Sequence, residues 1–397
     1  MGVLLGILAI IVVIGIAFSL SNDRKNINYK GIGIMLLLQV LIAWFMFSTQ
    51  IGQNMINGIA AVFNQLIEYG MVGIEFVVGG FVINEDGVFF FNVLLLIIFF
   101  ATILSVLTYI RILPTIIKYI GGVISKITGL PRVESFNAVN SIFFGQSEAL
   151  IAIRTQFHHL SRNRLYIVSA SAMSSVSASI VGAYLQMLPP TYVLLALPLN
   201  MFSALIVASI VAPVNVRKEE DVVDIKNVTN DRSVFEAMGN GALEGGKIAL
   251  IVAAMLIAFI ASLELVNGLI QLVFAGITLQ DILGYVLAPI GVLMGIPLNE
   301  VIQAGSVMGT KIVTNEFVAM LDFQGMMDEN EVSEKTIGIV TVFLTSFANF
   351  SSIGIIAGTV KGIDSEKAIS VSGFGMKLLV GATLASVLSA TIVGLFL

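Results

Sequence analysis

The stretch G-L-P-R-V-E at residues 129–134, followed by G-Q-S-E at 145–148, decides the fold because a related pair occurs again. The second pair reads G-I-P-L-N-E at 295–300 and T-N-E at 314–316. Both copies share G-[L/I]-P-x-x-E, and an amide residue and a carboxylate follow at a similar distance. Carboxylates at membrane depth are costly. Paired copies in an apolar chain therefore predict two related halves that share one site.

The composition predicts a membrane protein. Of the 397 residues, 57% are hydrophobic and 11% are charged, and the mean hydropathy is +1.00. Soluble domains carry about 25% charged residues. The long apolar runs predict an all-α polytopic membrane protein, whereas a transmembrane barrel would show short alternating segments.

Several classes of partner and cofactor are disfavoured. The chain has no cysteine, which excludes disulfides and thiolate metal sites. The two histidines, His158 and His159, are neighbours beside a charged loop, so we expect no metal centre and no cofactor. The net charge of −5 comes mainly from loops, and no basic run is interleaved with aromatic residues. We therefore expect a lipid bilayer around the chain and no nucleic acid.

Apolar runs predict about eight transmembrane helices. These are residues 3–20, 31–48, 88–110, 165–186, 191–213, 247–272, 336–358 and 377–397. The stretch 51–70 is interrupted by polar residues and is expected to lie in the membrane interface.

Two segments, about 132–158 and 298–326, are predicted to be re-entrant hairpins. Their flanking charges agree with the lysine and arginine bias of the loops only if each segment enters and leaves on the same side. Each is too long for one short span and has polar groups at its middle. Irregular backbone at that depth persists only when it is buried in protein or lines a cavity.

The hairpins organise the chain into two repeats of inverted topology. Residues 1–87 are expected to form scaffold helices and the interfacial helix. The first repeat covers 88–213, the segment 214–246 is a cytoplasmic loop, and the second repeat covers 247–397.

Four polar clusters carry the candidate chemistry, two at hairpin tips and two in broken helices. They are Gln146, Ser147 and Glu148; the serines between 171 and 179; Thr314, Asn315 and Glu316; and the stretch 346–352. Glycine and serine permit unwound turns whose free backbone groups hold polar solutes or cations. No arginine is available at these positions to pair with an acidic substrate. The clusters therefore favour a hydroxyl-rich or heterocyclic solute.

Other interpretations of the same residues remain open. The serine run is equally compatible with small-residue packing, Asn349 with a helix-to-helix hydrogen bond, and Phe347 with core packing. An intramembrane hydrolase with paired carboxylates and a passive channel are alternative functions. An intramembrane hydrolase would require paired aspartates in helical spans, and a channel would require a continuous polar pore.

Four motifs resemble the concentrative nucleoside transporter family over nearly the whole chain. They are G-Q-S-E at 145–148, S-I-V-G-A-Y at 179–184, G-T-K-I-V-T-N-E-F-V-A at 309–319 and S-F-A-N-F-S-S-I-G at 346–354. The resemblance implies uptake of nucleosides, of the uridine, cytidine and adenosine class, by alternating access across the cytoplasmic (cell inner) membrane. It also implies a homotrimer in which a transport domain moves against a scaffold.

The resemblance implies a substrate site of eight residues. They are Gln146, Ser147, Glu148, Ile180, Glu316, Phe347, Asn349 and Ser352. The first three would read the base, with Ile180 packed nearby. Glu316 and Asn349 would bond the ribose hydroxyls, and the remaining two would complete the pocket. Gln146 both donates and accepts hydrogen bonds, so the base preference stays open.

The coupling ion is the point at which the chain departs from sodium-coupled members of that family. Those members resemble this chain but place an asparagine where it has Ser141. The other implied cation ligands are the backbone of Phe144 and Val176 and the hydroxyl of Ser175. The absence of the asparagine amide oxygen removes a strong oxygen ligand from the sodium coordination shell. We therefore predict proton coupling, with Glu148 or Glu316 as the protonated group, and keep sodium coupling as the alternative.

Overall fold

A computed structural model describes residues 2–79, 88–216, 221 and 231–397, which are almost entirely helical. Three helices come first: α1 (Gly2–Ser19), α2 (Tyr29–Ser48) and α3 (Gln50–Val78). The first repeat follows as α4 (Leu96–Tyr109), α5 (Ile112–Thr128), α6 (Arg132–Phe143), α7 (Gln146–Ala152), α8 (Arg162–Met173), α9 (Ala178–Tyr184) and α10 (Pro190–Val211). The second is α11 (Val234–Gln271), α12 (Leu279–Met294), α13 (Val301–Val313), α14 (Glu316–Asp328), α15 (Glu334–Leu344), α16 (Phe350–Ile363) and α17 (Ser365–Gly394). No strand occurs in these ranges, so the all-α prediction is confirmed.

Seven helical segments of the described residues are long and apolar enough to cross a membrane. They are Tyr29–Ser48, Gln50–Val78, Phe90–Tyr109, Arg162–Tyr184, Pro190–Val211, Val234–Gln271 and Ser365–Gly394. Shorter apolar helices add Val3–Ser19, Leu279–Met294, Val301–Val313 and Phe350–Ile363. The predicted interfacial stretch 51–70 forms part of α3, whose 29 residues also have the length of a span. Its position in the interface stays a prediction.

Both re-entrant segments form helical hairpins. In the first, α6 and α7 meet at Phe144 and Gly145, and in the second, α13 and α14 meet at Thr314 and Asn315. Each hairpin is followed by a broken helix, α8 with α9 and α15 with α16. The order of elements is therefore the same in the two halves.

The packing of the helices agrees with inverted repeats. The long helix α11 contacts its counterpart α4, and α10 contacts its counterpart α17. Crossed pairs match as well, because α8 packs on α17 while α15 packs on α10. Such reciprocal contacts are what a two-fold pseudosymmetry axis between the halves requires.

Helix α11 begins at Val234, so residues 234–246 of the segment predicted to be a cytoplasmic loop are helical. The Ser233 side chain caps the helix by accepting from the backbone N–H of Glu236. Gly241 and Gly245, which lie in the segment predicted to be a loop, let α11 approach α4 closely. A Cβ on Gly241 would lie 2.9 Å from the Ala101 carbonyl oxygen. Segments 217–220 and 222–230 of the predicted loop lie outside the described residues.

The repeated G-[L/I]-P-x-x-E motif ties each hairpin to the broken helix that follows it. Glu134 is fully buried and accepts hydrogen bonds from Nε and Nη2 of Arg164 on α8, at 2.5 and 3.0 Å. Its counterpart Glu300 accepts from the backbone and hydroxyl of Ser333, the cap of α15, at 3.0 and 2.9 Å. In each repeat, the glutamate therefore joins the hairpin to the start of the following broken helix by hydrogen bonds.

Glu134→Ala is expected to lower the free energy of unfolding by about 3 kcal/mol, because it removes one partner of a buried ion pair. Titration with a denaturing detergent would measure the change. Glu331→Ala, at an exposed position, serves as the control and should unfold like the wild type. Equal unfolding midpoints for the Glu134 variant and the control would contradict a stabilising role for the pair.

Candidate functional site

The centre of the site is Glu316, the first residue of α14. It is buried, and both of its carboxylate oxygens have partners. The Tyr184 hydroxyl donates to Oε1 at 3.0 Å, and Asn349 Nδ2 donates to Oε2 at 2.9 Å. The ammonium of Lys311 also attracts this carboxylate. Each carboxylate oxygen keeps a free lone pair, so Glu316 can still accept from solute hydroxyls.

Asn349 is held in place because it caps α16. Its Oδ1 accepts from the Ser352 backbone N–H at 2.9 Å and from the Ser351 hydroxyl at 2.7 Å. With the oxygen engaged in the cap, the amide N–H groups face Glu316. The bond between them joins α16 to α14, so the helix-to-helix interpretation of Asn349 is compatible with a second role in the site.

Phe347 and Ser352 lie on either side of this cap, and both are buried. The backbone N–H of Phe347 donates to the carbonyl oxygen of Ser175 at 3.2 Å, which joins the breaks of the two broken helices directly. The Ser352 hydroxyl has no protein partner within the described part of the chain. It is therefore available to a solute.

The first hairpin supplies a second, separate group of residues. Gln146 is buried, and its Oε1 has no partner among the described residues. The hydroxyl of Thr359, on α16, donates to the Ser147 hydroxyl at 2.8 Å. Glu148 differs from the expectation of a buried carboxylate, because its side chain is exposed. Among the described residues, a hydrogen bond joins Asn349 to Glu316, and none joins Glu148 to Glu316.

Glu148 is exposed because it lines a cavity of about 420 Å³, a size typical of small-molecule sites. The hairpin and the first broken helix form one wall, which includes Phe144, Ser177 and Ser179. Helices α4 and α11 form the opposite wall, with Asn240 and Glu244. These two residues are not among the predicted site residues, because they lie in the segment predicted to be a loop. Ile180 is the buried neighbour of Ser179.

The candidate cation ligands lie where α6 ends and where α8 breaks. The hydroxyl of Ser141 donates to the Asn137 carbonyl at 2.7 Å, and the hydroxyl of Ser175 donates to the Ser171 carbonyl at 2.8 Å. Each serine oxygen keeps a lone pair, as do the carbonyl oxygens of Phe144 and Val176. Among the described residues, no group of three or more His, Cys, Asp or Glu side chains could hold a metal.

The chain matches known nucleoside transporters along its length. Residues 8–81 and 192–394 match the family models for the N-terminus and C-terminus of Na+ dependent nucleoside transporters, and residues 90–191 match a gate model described as nucleoside recognition. The purine nucleoside transport protein NupG of Bacillus subtilis is 40% identical over 99% of each chain. The nucleoside permease NupC of Helicobacter pylori is 33% identical over 96% of this chain and 95% of the relative.

Solved structures agree with these relatives. CNTnw in an inward-facing substrate-bound state superposes with a TM-score of 0.95 at 33% identity, over 100% of this chain and 98% of CNTnw. The matches cover both hairpins and both broken helices. The chain therefore belongs to the concentrative nucleoside transporter family, as a multi-pass protein of the cytoplasmic membrane that takes up nucleosides with a cation and is neither an enzyme nor a passive channel.

Proposed function

We propose that this transporter couples nucleoside uptake to protons and that Glu148 is the group that carries the proton. The observation that supports protons over sodium is Ser141. A hydroxyl oxygen is a weaker cation ligand than the amide oxygen that sodium-coupled members place at this position. Sodium is the second candidate, because the matching family models are described as Na+ dependent nucleoside transporters.

Glu148 is favoured over Glu316 by its surroundings. Its side chain is exposed in the cavity, so water can deliver and remove a proton. Glu316 is buried, accepts from Tyr184 and Asn349, and has the positive charge of Lys311 nearby. Both oxygens of Glu316 are therefore held by fixed donors, whereas the carboxylate of Glu148 faces the cavity.

The proposal divides substrate recognition between the two repeats. Glu316 and Asn349 accept from and donate to the ribose hydroxyls, while Phe347 and Ser352 complete the pocket. Gln146, Ser147, Glu148 and Ile180 contact the base, and the buried Oε1 of Gln146 supplies an acceptor for a base N–H. The similarity to a purine nucleoside transport protein supports purine nucleosides among the substrates.

The proposal includes a homotrimer. Helix α3 presents a row of exposed apolar side chains, which lipid or another copy of the chain must cover. They are Ile51, Met55, Ile59, Val62, Tyr69, Val72 and Phe76. Native mass spectrometry of the purified protein would give the number of chains in the assembly.

Uptake of labelled adenosine and uridine into proteoliposomes tests the function. With an inward proton gradient, we expect the labelled nucleoside to accumulate above its external concentration. Unlabelled nucleosides should reduce this accumulation by competition. Accumulation should persist when choline replaces sodium. A strict sodium requirement would contradict proton coupling, whereas failure of every gradient to drive accumulation would contradict coupled uptake itself.

Tyr184→Phe tests the support given to Glu316. The change removes one hydrogen bond to a charged group, which is worth about 1.5–3 kcal/mol. We expect the KM for nucleosides to rise about tenfold or more, because the carboxylate loses the partner that fixes its orientation. Tyr192→Phe, whose ring stands on α10 at a half-buried position, is the matched control. Equal KM values for the two variants would show that Tyr184 does not position Glu316.

A further inference from the structure

Lys311 is a buried cation to which the proposed function gives no role beyond its charge near Glu316. It lies in the last turn of α13, the first arm of the second hairpin, and is fully buried. Its Nζ donates to the Phe343 carbonyl at 3.2 Å and to the Ser346 hydroxyl at 2.7 Å, and it stands 4.6 Å from the centre of the Phe343 ring. The ammonium thus bonds the hairpin to the end of α15.

The two repeats place Lys311 in register with Ser141. Ser141 stands three residues before Phe144, the C-cap residue of α6. Lys311 stands three residues before Thr314, the C-cap residue of α13. The breaks match in the same way. Ser175 follows Ser174, the C-cap residue of α8, and Ser346 follows Thr345, the C-cap residue of α15. Lys311 and Ser346 in the second repeat therefore correspond to Ser141 and Ser175 in the first repeat.

The oxygens around Lys311 are of the kind that binds monovalent cations. Carbonyl oxygens of unwound helix ends and hydroxyl oxygens coordinate sodium in transporters. Here an ammonium donates to one carbonyl and one hydroxyl, and Ser346 Oγ lies 2.8 Å from Ser386 Oγ of α17. A buried ammonium is costly unless oxygen acceptors and an opposite charge compensate it, and Glu316 provides that charge.

We propose that Lys311 is a positioning residue that acts as a tethered cation, filling a monovalent-cation site at the second helix break. By holding Phe343 and Ser346 against α13, it fixes the turn that carries Asn349 beside Glu316. The first repeat has the uncharged Ser141 at the equivalent position. The proposal does not depend on which ion drives uptake, because the tethered charge does not cross the membrane.

Removal of the side chain should expose this latent cation site. Lys311→Ala is compared with Lys311→Met, which fills the space without charge, and with Lys311→Arg. Nucleoside counterflow in proteoliposomes is measured without an ion gradient, in choline, sodium or methylammonium chloride at equal ionic strength. The melting temperature of each purified full-length variant is measured in the same salts.

In choline, we expect Lys311→Ala to lose about tenfold or more of the counterflow rate, as the loss of a charged hydrogen-bond donor implies. Methylammonium or sodium should restore counterflow and raise the melting temperature of this variant. Lys311→Met should stay inactive in every salt, and Lys311→Arg should retain activity.

Two outcomes would overturn the tethered-cation proposal. One is a Lys311→Ala variant whose counterflow and melting temperature are the same in all three salts. The other is wild-type counterflow in Lys311→Met. Should the alanine variant unfold in choline, its recovery in methylammonium supports the proposal, and aggregation in both salts contradicts it. Counterflow by the wild type in the same vesicles shows separately that nucleosides are transported.

Discussion

Glu316→Gln is expected to reduce nucleoside uptake about 100-fold or more. The carboxylate accepts from Tyr184 and from Asn349, so a glutamine amide must turn its own NH₂ group towards one of these donors. The change also leaves the buried Lys311 without its opposite charge. Breaking a buried charged network by removal of one partner costs about 3–5 kcal/mol. Since about 1.4 kcal/mol corresponds to a factor of ten, the uptake assay in proteoliposomes would resolve the loss easily.

The matched control for Glu316→Gln is Glu329→Gln. Glu329 follows the C-terminal end of the same helix, α14, and is exposed. Its substitution makes the same chemical change without touching Tyr184 or Asn349, so uptake should equal that of the wild type. Wild-type uptake in the Glu316 variant would remove this residue from the ribose site. A parallel melting curve would separate loss of binding from loss of folding.

Glu148→Gln is expected to abolish accumulation against a gradient while exchange of nucleosides continues. Glutamine resembles the protonated acid but has no proton to release, so the transporter can cycle without moving a proton. Uptake in the presence of a proton gradient should therefore stop when the internal and external nucleoside concentrations are equal. The rise in wild-type uptake with falling external pH should disappear in the variant. Counterflow and gradient-driven uptake, measured over the same pH range, report these two effects independently.

Glu244→Gln is the natural comparison because Glu244 lines the same cavity from α11. We expect this variant to keep gradient-driven accumulation and its pH dependence. The opposite result, with coupling lost in Glu244→Gln and retained in Glu148→Gln, would assign the proton to the α11 wall. A Glu148 variant that accumulates nucleosides with unchanged pH dependence would contradict our assignment.

The hairpins and broken helices could be predicted from the sequence because their determinants are local. The polar residues at each hairpin tip interrupt apolar runs, and Gly145 and Asn315 become the N-cap residues of α7 and α14. Asn349 likewise caps α16. A cap depends on residues a few positions away, so a repeated motif is sufficient to predict it.

Contacts between distant segments could not be predicted in the same way. Tyr184 bonds Glu316 across 132 positions, and nothing in the apolar stretch around Tyr184 indicates such a partner. Asn240 and Glu244, which line the cavity, lie in a charged segment that the sequence predicts to be a loop, because its polar residues precede the apolar run that begins at residue 247. The exposure of Glu148 also required the structure, since a cavity arises only from the packing of several helices.

The hydrogen bonds that cross between repeats have a consequence for the synthesis of the protein. The Ser175 carbonyl, the Tyr184 hydroxyl and the Ser147 hydroxyl all have partners in the second repeat: Phe347, Glu316 and Thr359. Chains emerge from the ribosome N-terminal half first. Until the second half follows, these polar groups in the newly inserted first half lack their final partners, and each such group costs several kcal/mol in lipid. The first repeat therefore reaches its final packing only after the second repeat has been synthesised, and we expect truncation before residue 316 to leave a fragment prone to degradation.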